Sequence, residues 1–356
     1  MPDTRLFRLQ KFSLTQEHSA LKIGTDAVLL GCSVNMPEHE KPLADSIPAS
    51  TNKQHSEEQN KRITNRISIL DVGTGSGIIL LMLAQKAIEA GCSHIELTGI
   101  DIDSGSISDA RTNVELFAQS FGFSASLSST CDSSNDLSYI KAAGFPACSQ
   151  SNYDEKCPER TTILDIHLDC ISLQDYARTC RRQYDLIVSN PPFFINSLKS
   201  SGSGDKIAKH NDTLPQKDLA QGIEQLLAPG GSCHVILPPA EAQQFIKLLT
   251  KDRAFLLKSI LAFKTTAAKP AKRLVLQFQN CSNQQTLSES QAERVNTGGV
   301  NKCTIAVENG ENRELEEREM VMMRSNKDGK GPATTGSKKE AFTQEYLSFV
   351  KDFLLY

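Results

Sequence analysis

Two consecutive prolines stand just beyond an apolar run: Tyr184-Asp185-Leu186-Ile187-Val188, then Ser189, then Asn190-Pro191-Pro192-Phe193. A central strand cannot pass through them, because each proline lacks a backbone N–H and fixes φ. The strand therefore stops there, with an amide side chain and an aromatic ring held stiffly at its carboxyl end. That end is where open α/β sheets bind their ligands. The amide oxygen and the prolyl carbonyls are acceptors suited to an –NH2 group, and the phenyl face suits a planar ring. The pattern points to chemistry on an exocyclic or side-chain amino group.

Strand and helix patterns alternate on both sides of this corner. Ile67-Ser-Ile-Leu-Asp-Val predicts a buried strand and 77–90 a helix; 95–101 predicts a second strand and 104–119 its helix. A strand near 162–168, a short helix near 172–180 and the strand 184–189 follow. The spacing then predicts helix over 219–227, strand over 233–237, helix over 239–250, and closing strands over 258–264 and 273–278. This alternation implies a doubly wound, parallel or mostly parallel α/β sheet. In the tail, Phe342, Tyr346, Phe349, Val350 and Phe353 fall at helical spacing, a stripe expected to pack on the core. Residues 36–65, 124–160 and 280–338 are polar and poor in large apolar side chains. They bury too little to offset ordering entropy and read as flexible surface insertions in a single domain spanning 1–356. Short structured pieces are allowed for inside the second and third.

Lys plus Arg total 39 against 42 Asp plus Glu, a net charge of -3, so any nucleic-acid contact needs a local basic patch. The ten cysteines form no CxxC pair and read as free thiols in a reducing compartment. The histidines show no HxxxH pairing, and no metal site is expected. Met1-Pro-Asp-Thr-Arg-Leu-Phe-Arg carries no signal-peptide core, and no run approaches the ~18 apolar residues of a membrane span. A cytoplasmic protein without membrane contact is the expectation.

Asp71-Val-Gly73-Thr74-Gly75-Ser-Gly77 follows the first long strand and opens a helix. Glycines there let the backbone turn sharply and approach a ligand with no Cβ in the way. A dinucleotide fingerprint would read G-x-G-x-x-G, but Ile78 occupies the third glycine position, and the Gly-Lys-Ser/Thr ending of a P-loop is missing. Asp101, at the end of the second strand, offers a carboxylate able to accept two ribose hydroxyls. Asp103 is the alternative, but it lies beyond the strand end.

Together, D-x-G-x-G-x-G, the strand-end acid and N-P-P-F resemble the Rossmann-like S-adenosylmethionine-dependent methyltransferases that act on amino groups. The amino terminus narrows the resemblance. Phe7-Arg-Leu-Gln-Lys11-Phe12 and His18-Ser-Ala-Leu-Lys22-Ile23-Gly24-Thr25-Asp26-Ala-Val-Leu-Leu-Gly31 are similar to the start of the bacterial tRNA1(Val) (adenine-37-N6)-methyltransferase family. Lys209-His210-Asn-Asp-Thr-Leu and the closing Tyr346 to Tyr356 resemble that family too, so the likeness covers everything outside the three polar stretches.

The resemblance implies a seven-stranded methyltransferase sheet, S-adenosyl-L-methionine as cofactor, tRNA as partner and a monomer. It places the methionine end of the cofactor at the glycine turn (Asp71, Gly73, Thr74, Gly75, Gly77) under a wall from Lys22, Gly24, Thr25 and Asp26. The ribose falls to Asp101, with Ile102 beside it. Family members usually carry an acid for the cofactor adenine where this chain has Ser172, and Asp169 lies three residues earlier. Asn190, Pro191, Pro192 and Phe193 become the catalytic set, with Asn190 also touching cofactor. Phe193 stacks on the target base, Phe194 lines core or pocket, and Lys199, Lys206, Lys209 and His210 meet phosphates or solvent. Lys269, Lys272 and Arg273 form a second basic cluster. Thr25 or Asp26 also suits the bland role of capping the helix that begins there. N-P-P-F leaves open guanine N2 of ribosomal RNA or a protein glutamine as targets, or a non-catalytic RNA-binding relative.

Overall fold

The computed structural model describes residues 6–36, 65–128, 138–144, 162–192, 214–251, 253–282, 303–306, 312–323 and 342–354, with side chains outside 124–144 and 303–316. The elements run in order β1 (Leu6–Arg8), β2 (Ser13–Thr15), α1 (Thr25–Ser33), β3 (Arg66–Val72), α2 (Ile78–Glu89), β4 (His94–Asp101) and α3 (Ser104–Ser120). Then come β5 (Ser124–Ser128), β6 (Ser138–Gly144), β7 (Thr162–Cys170), α4 (Leu173–Thr179), β8 (Tyr184–Ser189), α5 (Gln216–Leu226) and β9 (Leu227–Leu237). The chain closes with α6 (Pro239–Thr250), β10 (Phe255–Lys264), β11 (Ala271–Asn280), β12 (Cys303–Ala306), β13 (Asn312–Val321) and α7 (Gln344–Val350).

β1 and β2 form a small hairpin, and eleven strands form one sheet in the order β12-β13-β10-β11-β9-β8-β3-β4-β7-β6-β5. The seven expected strands are its contiguous middle, β10-β11-β9-β8-β3-β4-β7. Within it β9, β8, β3, β4 and β7 are parallel, and β11 runs antiparallel to both neighbours. The chain order doubles back between β3 and β8, the point at which a doubly wound sheet opens a crevice at its carboxyl edge.

The sheet is wider than expected because two polar stretches supply strands of their own. β5 and β6 extend the β7 edge antiparallel, and β13 joins β10 in parallel with β12 beyond it. Residues 37–64 of the first stretch lie outside the described residues. β9 starts at Leu227, earlier than the Cys233 that apolarity alone marked, because Leu227 pairs with Tyr184 of β8 and Ser232 with Leu186, on either side of a register irregularity at the polar Pro229-Gly230-Gly231. The tail helix is shorter than its stripe: Phe342 sits in an isolated bridge to Met323, and Phe353 follows the last helical turn.

Strand alternation divides the core. Ile67 and Ile69 of β3, Leu97 of β4 and Val188 of β8 pack with α1, α2, α3 and α7 on one face. Leu70 and Val72 of β3, Ile187 of β8 and Leu274 and Leu276 of β11 pack with α5 and α6 on the other. The first two turns of α2, Ile78 to Ala84, are apolar all round and wholly buried, as a helical stretch enclosed on every side must be. Gly31 of α1 sits against Met82 so closely that an added Cβ would lie 2.7 Å from its side chain. α1 thereby lies directly on the helix that the glycine turn launches.

Candidate active site

The sheet register brings the two sequence signals together. Val72 pairs with Ser189 of β8 on one side and with Ile100 of β4 on the other. One residue further on, Asn190, Gly73 and Asp101 stand in a row along the carboxyl edge, with Cys170 of β7 level with Asp101. At the usual strand spacing, Asn190 and Asp101 are about 10 Å apart with the glycine turn between them. Ser189 Oγ donates to the Val72 carbonyl at 2.9 Å, tying the start of the proline corner to the start of the turn. Pro191 is buried, and Asn190 and Pro192 are half-buried. Among the described residues, nothing hydrogen-bonds the Asn190 side-chain amide. Phe193, Phe194, Lys199, Lys206, Lys209 and His210 lie outside the described residues.

All three glycines of the turn have positive φ: 73° at Gly73, 56° at Gly75 and 82° at Gly77. That region is costly for any residue carrying a Cβ. Their surroundings differ. A Cβ on Gly77 would meet Ala110 of α3 at 3.5 Å, whereas one on Gly73 or Gly75 would meet nothing within 4 Å. Gly77 serves helix packing, and the first two glycines face open space at the edge. Thr74 is buried beneath them and donates through Oγ1 to Asp71 Oδ2 at 2.9 Å, so its side chain braces the turn from inside.

Asp71 is wholly buried, and its Oδ1 accepts no hydrogen bond. Burial pushes its carboxyl up to about 7, the Thr74 hydroxyl opposes this, and the nearby Asp101 carboxylate adds to the rise. Above the ordinary value of 3.8 the unfolded chain loses this proton first. The ligand-free protein therefore loses stability as pH rises from about 4 to 7, and the full penalty is in place above that window. Asp71→Asn removes the ionisation. Its melting temperature relative to wild type is expected to climb across pH 4 to 7 and then level off; parallel pH profiles for the two proteins would refute this.

Asp101 Oδ2 accepts from the Gly75 N–H at 2.8 Å and Oδ1 from the Asp103 N–H at 2.9 Å, which fixes the carboxylate beside the turn. Each oxygen keeps a lone pair for a ligand hydroxyl. Asp103 is otherwise engaged: it caps α3, and its Oδ2 accepts from Ser106 N and Oγ and from Ala20 N. Ile102, between the two acids, is exposed.

Ser172 caps α4, its Oγ accepting from Asp175 N at 3.1 Å and donating to Asp175 Oδ2 at 2.8 Å. Only one lone pair is left for an adenine amino group. Asp169 pairs with Ile100, one step behind the edge row and, by strand alternation, on the opposite face from Asp101.

The amino-terminal motif behaves differently from its capping expectation. Gly24 is the N-cap of α1, and no side chain caps it. Asp26 instead takes a 2.6 Å ion pair from Arg273 Nε on β11, which withdraws Arg273 from the expected basic cluster. Lys22 Nζ donates to the Gln16 carbonyl at 2.6 Å. Between Ala20, held at the end of β4, and Asp26, held at β11, the sheet order leaves four strand spacings, about 19 Å. Four extended steps from Ala20 to Gly24 and two helical ones to Asp26 reach about 17 Å, and the Arg273 side chain makes up the rest, so this segment crosses the ends of β3, β8 and β9 with little slack.

Sequence reasoning missed the polar residues of α3 that anchor this crossing. Asp109 is 1% exposed and accepts from Ser19 Oγ and N at 2.6 and 2.8 Å, and from His18 N and Nδ1. Asn113 holds both backbone groups of Thr15 and donates to the Ser76 carbonyl in the glycine turn. The available signal was an acid and an amide four apart on the face of α3 that also carries Ala110. Elsewhere, His94, Glu96 and Asp165 gather on β4 and β7, but Arg66 and Arg182 already pair with Glu96 at 2.6 and 3.4 Å, and His94 Nε2 meets Asp165 at 2.8 Å. That group is an ion-pair cluster at the opposite end of the strands from the row.

No family model matches the chain. Curated relatives do. The tRNA1(Val) (adenine(37)-N6)-methyltransferase of Trichodesmium erythraeum (strain IMS101) is 29% identical over 239 residues, 67% of this chain and 70% of that one. The protein of the same name from Christiangramia forsetii is 29% identical over 273 residues, covering 76% and 83%. That of Bacteroides fragilis (strain ATCC 25285) is 25% identical over 293 residues, covering 81% and 91%. The chain is similar to the tRNA1(Val) (adenine(37)-N6)-methyltransferases of these organisms.

These relatives bear out the resemblance first carried by the glycine turn, the proline corner and the amino-terminal motif. Solved structures similar to this chain include a predicted O-methyltransferase from Agrobacterium tumefaciens, at 12% identity and a TM-score of 0.43 over 91% of this chain and 95% of that one. Another is the N-methyltransferase NodS of Bradyrhizobium japonicum WM9, at 15% identity and a TM-score of 0.32 over 60% and 86%.

Proposed function

We propose that this protein methylates N6 of adenine 37 in the anticodon loop of tRNA1(Val), using S-adenosyl-L-methionine. The observation that carries the reading is the edge row, in which an uncommitted asparagine amide and a fixed carboxylate flank a glycine turn open to a ligand. The residues present suit the cofactor. Gly73 and Gly75 leave the space that a Cβ would fill, Asp101 keeps acceptors for a ribose diol, and the orphaned Asp71 Oδ1 adds negative potential beneath the turn.

The cofactor supplies an electrophilic methyl group on a sulfonium. The protein's task is to present a poor nucleophile, since the N6 lone pair of adenine is delocalised into its ring. Asn190 Oδ1 and the Pro191 carbonyl accept the two N6 hydrogens, which favours a pyramidal nitrogen and stabilises the charge that develops on it. Phe193 stacks on the extruded base, a contact worth roughly 1–3 kcal/mol. No strong base is needed beforehand, because the product cation loses its proton after transfer. Most of the acceleration comes from positioning.

An anticodon-loop base must be splayed out to reach such a corner, the usual mode for single-stranded RNA. Lys199, Lys206, Lys209 and His210, which follow the corner in sequence, are the phosphate-contact candidates. The second basic cluster reduces to Lys269 and the exposed Lys272. A tRNA substrate implies action in the cytoplasm, and among the described residues no helix is long and apolar enough to cross a membrane.

Radiolabelled methyl incorporation into unmodified tRNA and ribosomal RNA, followed by nucleoside identification, tests the reading. N6-methyladenosine in tRNA is the expected product. Label in N2-methylguanosine of ribosomal RNA, or none in tRNA, overturns it.

A further inference from the structure

The body of α1 is fixed by packing. Ala27 to Cys32 are buried, and Gly31 lies against Met82 of α2. Its first turn is held differently. Gly24 and Thr25 are exposed, and no side chain caps the helix. The turn is reached from β11 instead, by the 2.6 Å ion pair between Arg273 Nε and Asp26 Oδ2, with both side chains half-buried. Arg273 Nη1 also donates to the Lys272 carbonyl at 2.8 Å, which steadies the guanidinium.

Sheet register places this pair beside the proline corner. Val235 of β9 pairs with Ser189 of β8, and Leu237 of β9 pairs with Leu274 of β11. Counting on from these pairs, Arg273 stands level with Pro192, two strand spacings or about 10 Å away. The faces agree as well. Val188 and Val275 pack on the α1 side of the sheet, so alternation turns Asn190 and Arg273 to that same side. The glycine turn flanks Asn190 at β3. On the other flank, over β9 and β11, lies α1.

We propose that the Asp26–Arg273 pair sets the first turn of α1 as the wall of the target-base pocket opposite the glycine turn, so that both are positioning residues for methyl transfer. This rests on the methyl-transfer reading above. A pair with this much solvent contact adds little to folding stability. Methyl transfer is more sensitive, because a misplacement of about 1 Å can cost ~100-fold in rate. Losing the pair therefore shows in the chemical step and leaves the fold in place. An amino-terminal strap pinned to α3 at Asp109 is thus tied at its far end by a residue of the last core strand.

The test is a double-mutant cycle read in single turnover, with saturating unmodified tRNA and S-adenosylmethionine. Asp26→Ala and Arg273→Ala are each expected to slow transfer ~10-fold or more at full amplitude. Their melting temperatures should stay within a few degrees of wild type. The double variant should be no slower than either single one, because the two partners act as a unit. Arg273→Lys should keep most of the rate, since its Nζ reaches past the position of Arg273 Nε. Calorimetric affinity for S-adenosylhomocysteine should be unchanged throughout. Trypsin should cut after Lys22 faster in Arg273→Ala than in wild type, because the strap has lost its far anchor.

Wild-type rates in either alanine variant overturn the pair's role, and so do losses that multiply in the double variant. Arg273→Lys as slow as Arg273→Ala does the same. A reduced amplitude at an unchanged rate constant would make the pair structural only, and a matching loss of S-adenosylhomocysteine affinity would assign the turn to the cofactor; each overturns the proposal. A wild-type protein that forms no N6-methyladenosine in tRNA overturns the methyl-transfer reading itself, and the proposal with it.

Discussion

Asn190→Ala is expected to lower methyl transfer by roughly 10²–10³-fold, the loss seen when one preorganised partner of a developing charge is removed. Affinity for S-adenosylhomocysteine should change little. The separation follows from the geometry. Asn190 stands at the end of β8, where its side-chain amide bonds to nothing else among the described residues, and Asp101, the proposed ribose contact, lies across the turn. The side chain is half-buried at a chain corner set by two prolines, so truncation leaves no core cavity and the fold should persist. Single-turnover rates with saturating tRNA, beside calorimetric binding of the cofactor product, make the comparison. Unaltered turnover would sink the assigned role, and a proportional loss of cofactor affinity would reassign Asn190 to binding.

The second large effect is expected at Gly75. With φ at 56° and open space where a Cβ would project, alanine there strains the backbone by about 1–2 kcal/mol and puts a methyl group on the ligand side of the turn. Gly75→Ala should therefore melt only a few degrees lower yet bind S-adenosylhomocysteine at least ~100-fold more weakly, which corresponds to about 2.7 kcal/mol. Gly77→Ala is the control. It carries a similar backbone strain, but its Cβ would touch Ala110 rather than the open edge. Equal affinity losses in the two variants would mean that backbone strain, not occupation of the ligand space, decides binding at the turn.

Much of this arrangement was legible beforehand because its causes are local. A glycine at positive φ, a proline that ends a strand and an apolar run between polar ones each follow from a residue's own backbone preferences. Asp71 through Gly77, Asp101 and Asn190 through Pro192 were legible for that reason, as were the seven central strands.

What escaped depends on partners distant in sequence. Asp26 reads as a helix cap until β11 brings Arg273 to it, 247 residues away. Asp109 and Asn113 are polar side chains that only the packing of residues 15–19 on α3 removes from water. Gly105 reads as a weak spot in a helix until the His18 carbonyl shows why nothing larger fits. The same holds for β5, β6, β12 and β13, whose sequences lack an apolar pattern. Strand edges recruit through backbone hydrogen bonds, which any non-proline residue supplies.

By itself, then, the amino-acid sequence determined where the chain turns, which strands are buried and which chemical groups stand at their ends, since backbone sterics and hydrophobic periodicity act over a few residues. Only the tertiary structure decided that Asn190, Gly73 and Asp101 share one edge in one row, and that an amino-terminal strap is bound across it. Register and long-range polar contacts are set by the pairing of whole strands and helices, and no short stretch of sequence carries that information.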